Sequence, residues 1–493
     1  MLQAVAPSPR PFKVAHFLGV ILLTVPWIQP FSTPPLANVV PWLMSWTCLA
    51  LALLHWQHIT ATVVAQSWIL AALISSLIGL IQFFGQADAF APLLHVPAYL
   101  GDALGNLRQR NQLATLLSMG MLAVCWWYAR GLALGHALWM QVLLVTGLAA
   151  TASRTGLLQI LLVVVGLALH RQAPKGRQVL TLGIASLGFY ALASLALPWF
   201  LQSMSGQGTD NAITRMASLG GCGSRQVLWS NVLHLVAQQP LTGWGWDNLR
   251  YAHYITEYPG QRFCDILSNA HNLPLHLAFV WGVPVAVLLV LVLLVIVWRA
   301  APWRYAGTDR QLAWGAVGVI GLHSLLEYPL WYGPFQVAIV LCWWMLGGKI
   351  WLSAHTLRWN PMVATVLLGL MAFIAYDFSQ VRQVYLPAAK RWPIWRNQPF
   401  EVAHRSWLFQ GTALFAEVTT SRVSQDNARW LFEASQLVLH TSPEPRVIEK
   451  LLQSAQWLDE DQVHALHRQR FQKVYPNEYR LWEQRQNREA TRQ

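Results

Sequence analysis

Charged side chains are scarce in this chain of 493 residues: 11% of the residues are Asp, Glu, Lys or Arg, and 55% are hydrophobic. Because water-soluble domains carry about 25% charged residues, this deficit excludes a soluble enzyme. Apolar runs of about 20 residues, the length with which an α-helix crosses a hydrocarbon core, recur along the first four-fifths of the chain. The sequence therefore predicts an all-α polytopic membrane protein.

Cysteine is also scarce, with five residues and no CxxC pair. Cys48, Cys125 and Cys342 lie in apolar runs, whereas Cys222 and Cys264 share one polar loop and can pair if that loop faces an oxidising compartment. The sequence has no HExxH motif and no paired Cys/His set. We therefore expect an activity that needs no metal and no other cofactor.

Eleven segments are predicted to span the membrane, and the count is 11 to 12. They are 14–30, 37–56, 61–84, 112–129, 132–150, 156–170, 179–201, 273–298, 311–326, 330–348 and 361–380. The first run follows basic residues but has no clear small-x-small cleavage site and leads directly into further spans. We interpret it as a retained anchor rather than a signal peptide.

The basic residues predict the orientation of these spans. With the N-terminus inside, the inner connections hold one acid, Asp309, and eleven basic residues: Arg10, Lys13, Arg130, Arg171, Lys175, Arg177, Arg299, Arg304, Arg310, Lys349 and Arg358. The short outer connections hold only Arg108, Arg110 and Arg154. The positive-inside rule thus predicts a cytoplasmic N-terminus and an external C-terminus. Since the net charge of +13 is not clustered on one face, we expect no nucleic-acid partner.

Two polar segments lie on the outer side, a loop at 203–270 and a tail at 381–493. In the loop, apolar residues at helical spacing predict an amphipathic helix on the membrane surface: Val227, Leu228, Val232, Leu235 and Val236. In the tail, Ile448, Leu451, Leu452 and Ala455 follow helical spacing and predict paired amphipathic helices. We predict two domains: a transmembrane domain at 1–380, which includes the loop, and a soluble helical domain at 381–493.

The stretch SNAHNLPL, residues 268–275, marks the point where the loop enters the eighth predicted span. His271 lies there at the boundary between water and lipid, and an imidazole accepts a proton near neutral pH. His271 is the best candidate for a general base. The alternative is that it caps a helix or hydrogen-bonds the loop. His276 lies deeper, where packing explains it.

A short outer turn, TASRTG at residues 151–156, carries Arg154. An arginine at this depth is costly unless it faces a cavity or an anion, which makes it a candidate functional residue. The alternative is that its side chain snorkels to the headgroups. Gln159 follows on a similar helix face and is placed to reach the same ligand.

Residues 223–229, GSRQVLW, begin a predicted surface helix with Arg225 in its first turn, and the glycine-rich stretch PLTGWGW follows at 240–246. A guanidinium suits a pyrophosphate because its fork donates two parallel hydrogen bonds and keeps its charge. A surface helix without a ligand remains the alternative.

Two further outer stretches hold candidates: LRQRNQ at 107–112, with Arg110, and EYPLWYG at 327–333, with Glu327 and Tyr332. Tyrosine and tryptophan at this depth are typical of an aromatic belt. Glu327 is less easily explained, because a carboxylate at membrane depth requires a partner.

These motifs and their order resemble the bacterial O-antigen ligase and polymerase superfamily. The resemblance rests on SRTG at 153–156, Arg225-x-x-x-Trp229, the PLxGxG turn at 240–245, and AHN at 270–272 before Trp281-Gly282. The stretches QRNQLA at 109–114 and LEYPLWY at 326–332 resemble its protein-glycosylating branch, the PglL-type O-oligosaccharyltransferases.

The resemblance implies an inner-membrane enzyme that transfers a glycan from undecaprenyl pyrophosphate to an acceptor in the periplasm, where the loop and tail would lie. It implies His271 as the catalytic base and Arg154 and Arg225 as pyrophosphate ligands. Weaker substrate-binding candidates are Gln159, Tyr332, Arg110 and Glu327. The expected partners are the lipid-linked oligosaccharide, membrane lipids and an acceptor protein such as a pilin, modified on Ser or Thr.

The nearest alternatives are an O-antigen ligase, whose acceptor is the lipid A core, and an O-antigen polymerase. A helical tail that can dock a secreted protein favours the protein acceptor. A transporter or flippase is disfavoured, because charged residues near mid-membrane are few. A non-catalytic scaffold would tolerate loss of His271.

Overall fold

A computed structural model describes residues 14–206, 208–210, 214, 221–304, 307–347 and 360–490. The described chain is predominantly helical and contains no strand. The inner-side residues Arg10, Lys13, Lys349 and Arg358 lie outside these ranges. The helices before the long loop are α1 Val14–Ile28, α2 Val39–Leu54, α3 Ala61–Phe83, α4 Arg110–Ala129, α5 Leu134–Ala150, α6 Arg154–Leu169 and α7 Gly176–Ser205.

The next three helices are α8 Arg225–Gln238, α9 Leu249–Ile255 and α10 Leu273–Trp281. Four apolar helices follow them: α11 Val283–Ala300, α12 Thr308–Ser324, α13 Gly333–Gly347 and α14 Asn360–Arg382. The tail contributes α15 Pro399–Ala403, α16 Gln410–Thr420, α17 Ala428–Thr441, α18 Pro445–Trp457, α19 Asp461–Val474 and α20 Pro476–Ala490. Within the described residues, five helices are long and apolar enough to cross a membrane, and five shorter ones are also apolar. The chain is therefore a multi-pass membrane protein, and the exact number of spans stays a prediction.

The predicted eighth span, 273–298, is wrong as a single helix, because α10 ends at Trp281 and α11 begins at Val283. Gly282 between them has a φ of +86°, and an added Cβ would collide with the carbonyl of Leu241. The backbone N–H of Val283 donates to the carbonyl of Pro240 at 2.8 Å. The PLxGxG turn therefore lies against this break, and glycine is required there because no other residue allows so close an approach.

The chain divides into two compact units, 1–218 with 297–372, and 219–296 with 373–493. The first unit has a core of apolar side chains from α1 to α7, α12 and α13. Small residues let its helices approach closely: a Cβ on Gly120 would meet Ala72, and one on Gly147 would meet Ser76. The predicted division at residue 380 stays a prediction about domains. The compact units instead group most of the long loop with the tail.

In the second unit, the tail helices α16 to α20 pack around Leu431, Leu451 and Phe471. The predicted amphipathic helix is present as α18, with Ile448, Leu451, Leu452 and Ala455 all buried. Tyr254 from the loop helix α9 is part of the same core. The loop and the tail of this unit therefore share one hydrophobic core.

Candidate active site

In the first unit, Asn111 connects three elements at one end of the helix bundle. The Oγ of Ser153 donates to Asn111 Oδ1 at 2.7 Å, and Asn111 Nδ2 donates to Glu327 Oε1 at 3.1 Å. These contacts join the first turn of α4, the start of α6 and the segment after α12. Glu327, a half-buried carboxylate in an apolar chain, has Asn111 as one of its partners.

Arg154 is the first residue of α6, and its position is set by the cap of that helix. Ser153 is the N-cap, with its Oγ accepting from the backbone N–H of Gly156 at 2.9 Å. Because that hydroxyl also donates to Asn111, the turn before Arg154 is fixed from both sides. The predicted arginine therefore extends from a rigid helix start.

A buried polar group continues below Asn111 into the helix bundle. Gln159 Nε2 donates to Thr115 Oγ1 at 2.7 Å and to the carbonyl of Val319 at 3.1 Å, and Thr115 Oγ1 is hydrogen-bonded to His323 Nδ1 at 2.9 Å. Gln159 has no exposed surface. Its side chain thus holds α4, α6 and α12 together in this structure, and its predicted contact with substrate stays a prediction.

Arg110 and Tyr332 lie at the same end of this unit. The guanidinium of Arg110 forms a 2.8 Å ion pair with Asp102. The phenol of Tyr332 lies beside the side chains of Asn38 and Gln112, and its ring stacks on that of Tyr328 with 5.9 Å between centroids. Gln112 directly follows Asn111, so Tyr332 is tied to the same turn of α4 that carries Arg110.

In the second unit, His271 lies just before α10 with a φ of +50°, a conformation that L residues seldom adopt. Its backbone N–H donates to Asn269 Oδ1 at 2.9 Å. Asn272 is the N-cap of α10 and accepts from the N–H of Leu275. The cap of α10 is therefore Asn272, not the imidazole of His271, which is half-buried.

Arg225 is the first residue of α8, after the N-cap Ser224, which accepts from the N–H of Val227. One turn later, Trp229 Nε1 donates to the carbonyl of Ala270 at 3.0 Å, next to His271. Helix α8 also packs on α10 through Val232, Leu235, Phe279 and Val280. The two helices run side by side, and the starts that carry Arg225 and His271 lie at the same end.

Two further contacts hold the segment before His271 against α8. Cys222 and Cys264 are bonded, with 5.3 Å between their Cα atoms. Asn231 donates through Nδ2 to the carbonyl of Gln261 at 3.0 Å and accepts through Oδ1 from the N–H of Phe263 at 2.8 Å. Together with the bond from Trp229 to Ala270, these contacts hold residues 261–270 against the helix that begins at Arg225.

Two buried histidines lie in the second unit, and one of them, His467, joins the tail to the loop. His253 on α9 is hydrogen-bonded to Tyr258 and to the carbonyl of Phe263, and burial, followed by the charge of Arg262, lowers its pKa to about 3. His467 on α19 is hydrogen-bonded to Tyr254 at 3.0 Å, and burial, followed by the charge of Arg470, lowers its pKa to about 4. Both imidazoles are neutral at physiological pH.

Sequence reasoning missed Asn111 and His323, whose roles depend on contacts between helices far apart in sequence. Asn111 lies inside the QRNQLA stretch at 109–114, so that motif could have indicated Asn111 as a candidate site residue. His323 gave none, because a lone histidine in an apolar run is explained by packing. Within the described ranges, no group of three His, Cys, Asp or Glu side chains is placed to hold a metal ion.

Comparison with known proteins yields matches along most of the chain. Residues 139–290 match the family model described as O-Antigen ligase, residues 311–490 match Virulence factor membrane-bound polymerase, C-terminal, and residues 103–128 match Protein glycosylation ligase. A General O-oligosaccharyltransferase of Acinetobacter baylyi is 24% identical over 281 residues, which cover 54% of this chain and 47% of that protein. The match therefore spans about half the length of this curated relative. These matches confirm the resemblance that the motifs indicate: separate parts of the chain are similar to the O-antigen ligases and to the protein glycosylation ligases.

Proposed function

We propose that this protein transfers an oligosaccharide from undecaprenyl pyrophosphate to Ser or Thr hydroxyls of periplasmic proteins such as pilins. It would do so in the bacterial inner membrane, with the N-terminus in the cytoplasm and the site in the periplasm. The similarity to a General O-oligosaccharyltransferase supports glycan transfer to protein. The observation that carries the proposal is the hydrogen bond from Trp229 to Ala270, which with the disulfide holds the segment before His271 against α8, the helix that begins at Arg225.

The reaction is a displacement at the anomeric carbon of the donor sugar. The acceptor hydroxyl oxygen forms the new glycosidic bond, and the bond from that carbon to the pyrophosphate oxygen breaks. The electron pair leaves with undecaprenyl pyrophosphate, and the hydroxyl proton goes to the imidazole of His271. A side chain whose ordinary pKa lies near neutrality is suited to this proton transfer.

The arginines are assigned to the pyrophosphate. Arg154 and Arg225 would bind its oxygens and stabilise the negative charge that develops as it departs. Both are first residues of helices, where the backbone N–H groups and the helix dipole also favour an anion. Because pyrophosphate is a good leaving group and the arginines supply positive charge, we propose that the step requires no metal.

The remaining candidates would act around these groups. Arg110 and Tyr332 are proposed to contact the donor, and Glu327 is proposed to influence Arg154 through Asn111 and Ser153. Gln159 is assigned a positioning role, since its amide is used inside the helix bundle. The tail is proposed to dock the acceptor protein.

The central experiment is His271→Ala in the full chain, produced with a lipid-linked oligosaccharide pathway and a candidate acceptor pilin. We expect loss of transfer with unchanged membrane insertion. The matched control is His234→Ala, which removes a half-buried histidine of α8 that contacts Gln238 and Tyr258. Normal turnover by His271→Ala would reject the general-base role. In Arg225→Lys, which keeps the charge and loses the guanidinium fork, unchanged donor binding and rate would reject its pyrophosphate role.

A second candidate function is transfer to another lipid-linked glycan or to the lipid A core. The match of residues 139–290 to the O-Antigen ligase model and of 311–490 to the polymerase model favours it. Mass spectrometry of the acceptor pilin and of lipopolysaccharide from the same cells separates the candidates. Glycan on the pilin supports the protein acceptor, and glycan on the lipid A core alone rejects it.

A further inference from the structure

A tryptophan-rich segment, residues 390–408, presents large apolar side chains that the protein leaves uncovered. The exposed fractions are 55% for Trp392, 82% for Ile394, 73% for Trp407 and 47% for Leu408. Contiguous exposed apolar surface of this kind marks an interaction site or a membrane contact. The segment begins eight residues after Arg382, where the apolar helix α14 ends.

The exposure of Trp407 and Leu408 is built into the fold. Asp377, on the last turns of α14, accepts hydrogen bonds from the Oγ of Ser406 and from the backbone N–H groups of Trp407 and Leu408, each at 2.9 Å. Asp377 is itself buried. A buried carboxylate with three donors fixes this turn, so the two apolar side chains are displayed by a rigid backbone.

The other half of the segment is held in a similar way. The N–H of Trp392 donates to Gln383 Oε1 at 3.0 Å, and Arg391 Nε donates to the carbonyls of Gln383 and Leu386, both at 2.9 Å. Trp392 and Trp395 stack with 5.3 Å between ring centroids. The tryptophans therefore form an ordered surface rather than the side chains of a loose loop.

This surface continues the apolar face of α14. Trp395 contacts Tyr376 at 6.4 Å between ring centroids, and Trp407 contacts Phe373 at 6.3 Å. Tyr376 and Phe373 are 57% and 42% exposed on a helix with the length and apolarity of a membrane span. The lipid-facing surface of that helix and the exposed tryptophans are thus one uninterrupted patch.

The charges around the patch match an anionic lipid surface. Lys390, Arg391, Arg396 and Arg405 lie in the segment, against one acid, Glu401. Tryptophan prefers the headgroup layer, because its ring is apolar and its indole N–H can hydrogen-bond there. Basic residues beside it gain from anionic headgroups.

We propose that residues 390–408 form a membrane-surface anchor that inserts Trp392, Ile394, Trp407 and Leu408 into the headgroup layer of the bilayer. The occupant of this surface is phospholipid, with the basic side chains on anionic headgroups. The anchor fixes the start of the tail at the membrane plane. This proposal requires only that α14 spans the membrane, so it does not depend on the glycan-transfer reaction.

The test measures the depth of nitroxide labels on the full chain in vesicles of phosphatidylethanolamine and phosphatidylglycerol. Labels are attached to Ile394→Cys and Trp407→Cys. Labelling is selective, since Cys48, Cys125 and Cys342 are buried and Cys222 is bonded to Cys264. The matched control is Trp457→Cys. Trp457 is also exposed, at 57%, but it is followed by acidic rather than basic residues, at 459–461.

We expect labels at 394 and 407 to be several-fold more accessible to oxygen than to a water-soluble nickel chelate, and the label at 457 to show the reverse. Nickel accessibility at 394 and 407 equal to that at 457 would overturn the anchor and leave a protein partner as the occupant. Replacing phosphatidylglycerol with phosphatidylcholine should make both labels shallower. Depths that do not change would reject the part assigned to the basic residues.

Discussion

The disulfide between Cys222 and Cys264 should govern how firmly the loop holds Arg225 and His271. The two cysteines are 42 residues apart in sequence. In the chain-entropy treatment, closing a loop of this length stabilises the folded state by about 4 kcal/mol. The double variant Cys222→Ser with Cys264→Ser removes this constraint, while the contacts of Asn231 and Trp229 remain.

The assay is hydrogen exchange followed by mass spectrometry, read on peptides from residues 225–270. A loss of about 4 kcal/mol in opening free energy corresponds to roughly a thousandfold faster exchange where opening requires release of the loop. Peptides from α3, in the other compact unit, serve as the internal control and should not change. Treating the unmodified protein with a reductant that cleaves the bond should reproduce the variant.

The result that would refute this reasoning is exchange in residues 225–238 at the same rate in the double variant as in the unmodified protein. In that case Asn231, Trp229 and the apolar contacts between α8 and α10 would be sufficient to fix the loop. If the loop does open, the proposed function predicts a lower transfer rate as well. A faster exchange with unchanged transfer would separate loop rigidity from catalysis.

The remaining predictions concern the polar contacts of the two units. Asn111→Ala removes hydrogen bonds to Ser153 and Glu327. We expect this variant to lower the free energy of unfolding by about 1–3 kcal/mol and to raise the KM for the lipid-linked donor, as measured by thermal melting and by kinetics. Asn397→Ala, at an exposed position, is the control and should change neither quantity. For His253 and His467, the pKa in the folded state lies below the ordinary 6.5. Their contribution to stability is therefore complete above pH 6.5 and is lost as the pH falls. Between pH 6.5 and about 5, each histidine should lower the free energy of unfolding by about 2 kcal/mol. Thermal melting against pH, in the unmodified chain and in His467→Gln, checks this, and equal slopes in the two proteins would contradict it.

The positions of the apolar helices were predictable from the sequence, because the length and apolarity of a span depend on local composition. The predicted segment 61–84 corresponds to α3 at Ala61–Phe83, and 132–150 corresponds to α5 at Leu134–Ala150. The break at Gly282 was not predicted. The break depends on the turn at 240–245, which packs against Gly282 although it lies about 40 residues earlier in the sequence. Local composition does not predict a contact between residues so far apart in sequence.

The candidate site shows the same division. His271 and Arg225 were identified from their places at helix starts, and the contact between Trp229 and Ala270 that brings these starts together is a tertiary feature. Gln159 was identified by helical spacing, yet spacing does not distinguish a side chain that faces a cavity from one that bonds Thr115 and Val319 inside the bundle. Residue type and spacing thus identified the candidate residues. The direction in which each side chain points could be read only from the folded structure.

The shared core of loop and tail suggests a second role for the tail besides docking an acceptor. Tyr254 of α9 lies in the tail core and bonds His467, and Arg250 Nη1 donates to the carbonyl of Thr441 at 2.9 Å. Helix α9 lies between the segment that carries Arg225 and the segment that carries His271. Since α9 is buried against tail helices, its release would expose Tyr254 and break the hydrogen bond between Tyr254 and His467, which is costly. The tail therefore stabilises the loop that holds the proposed base, and changes in the tail core should affect transfer even where they do not touch the acceptor.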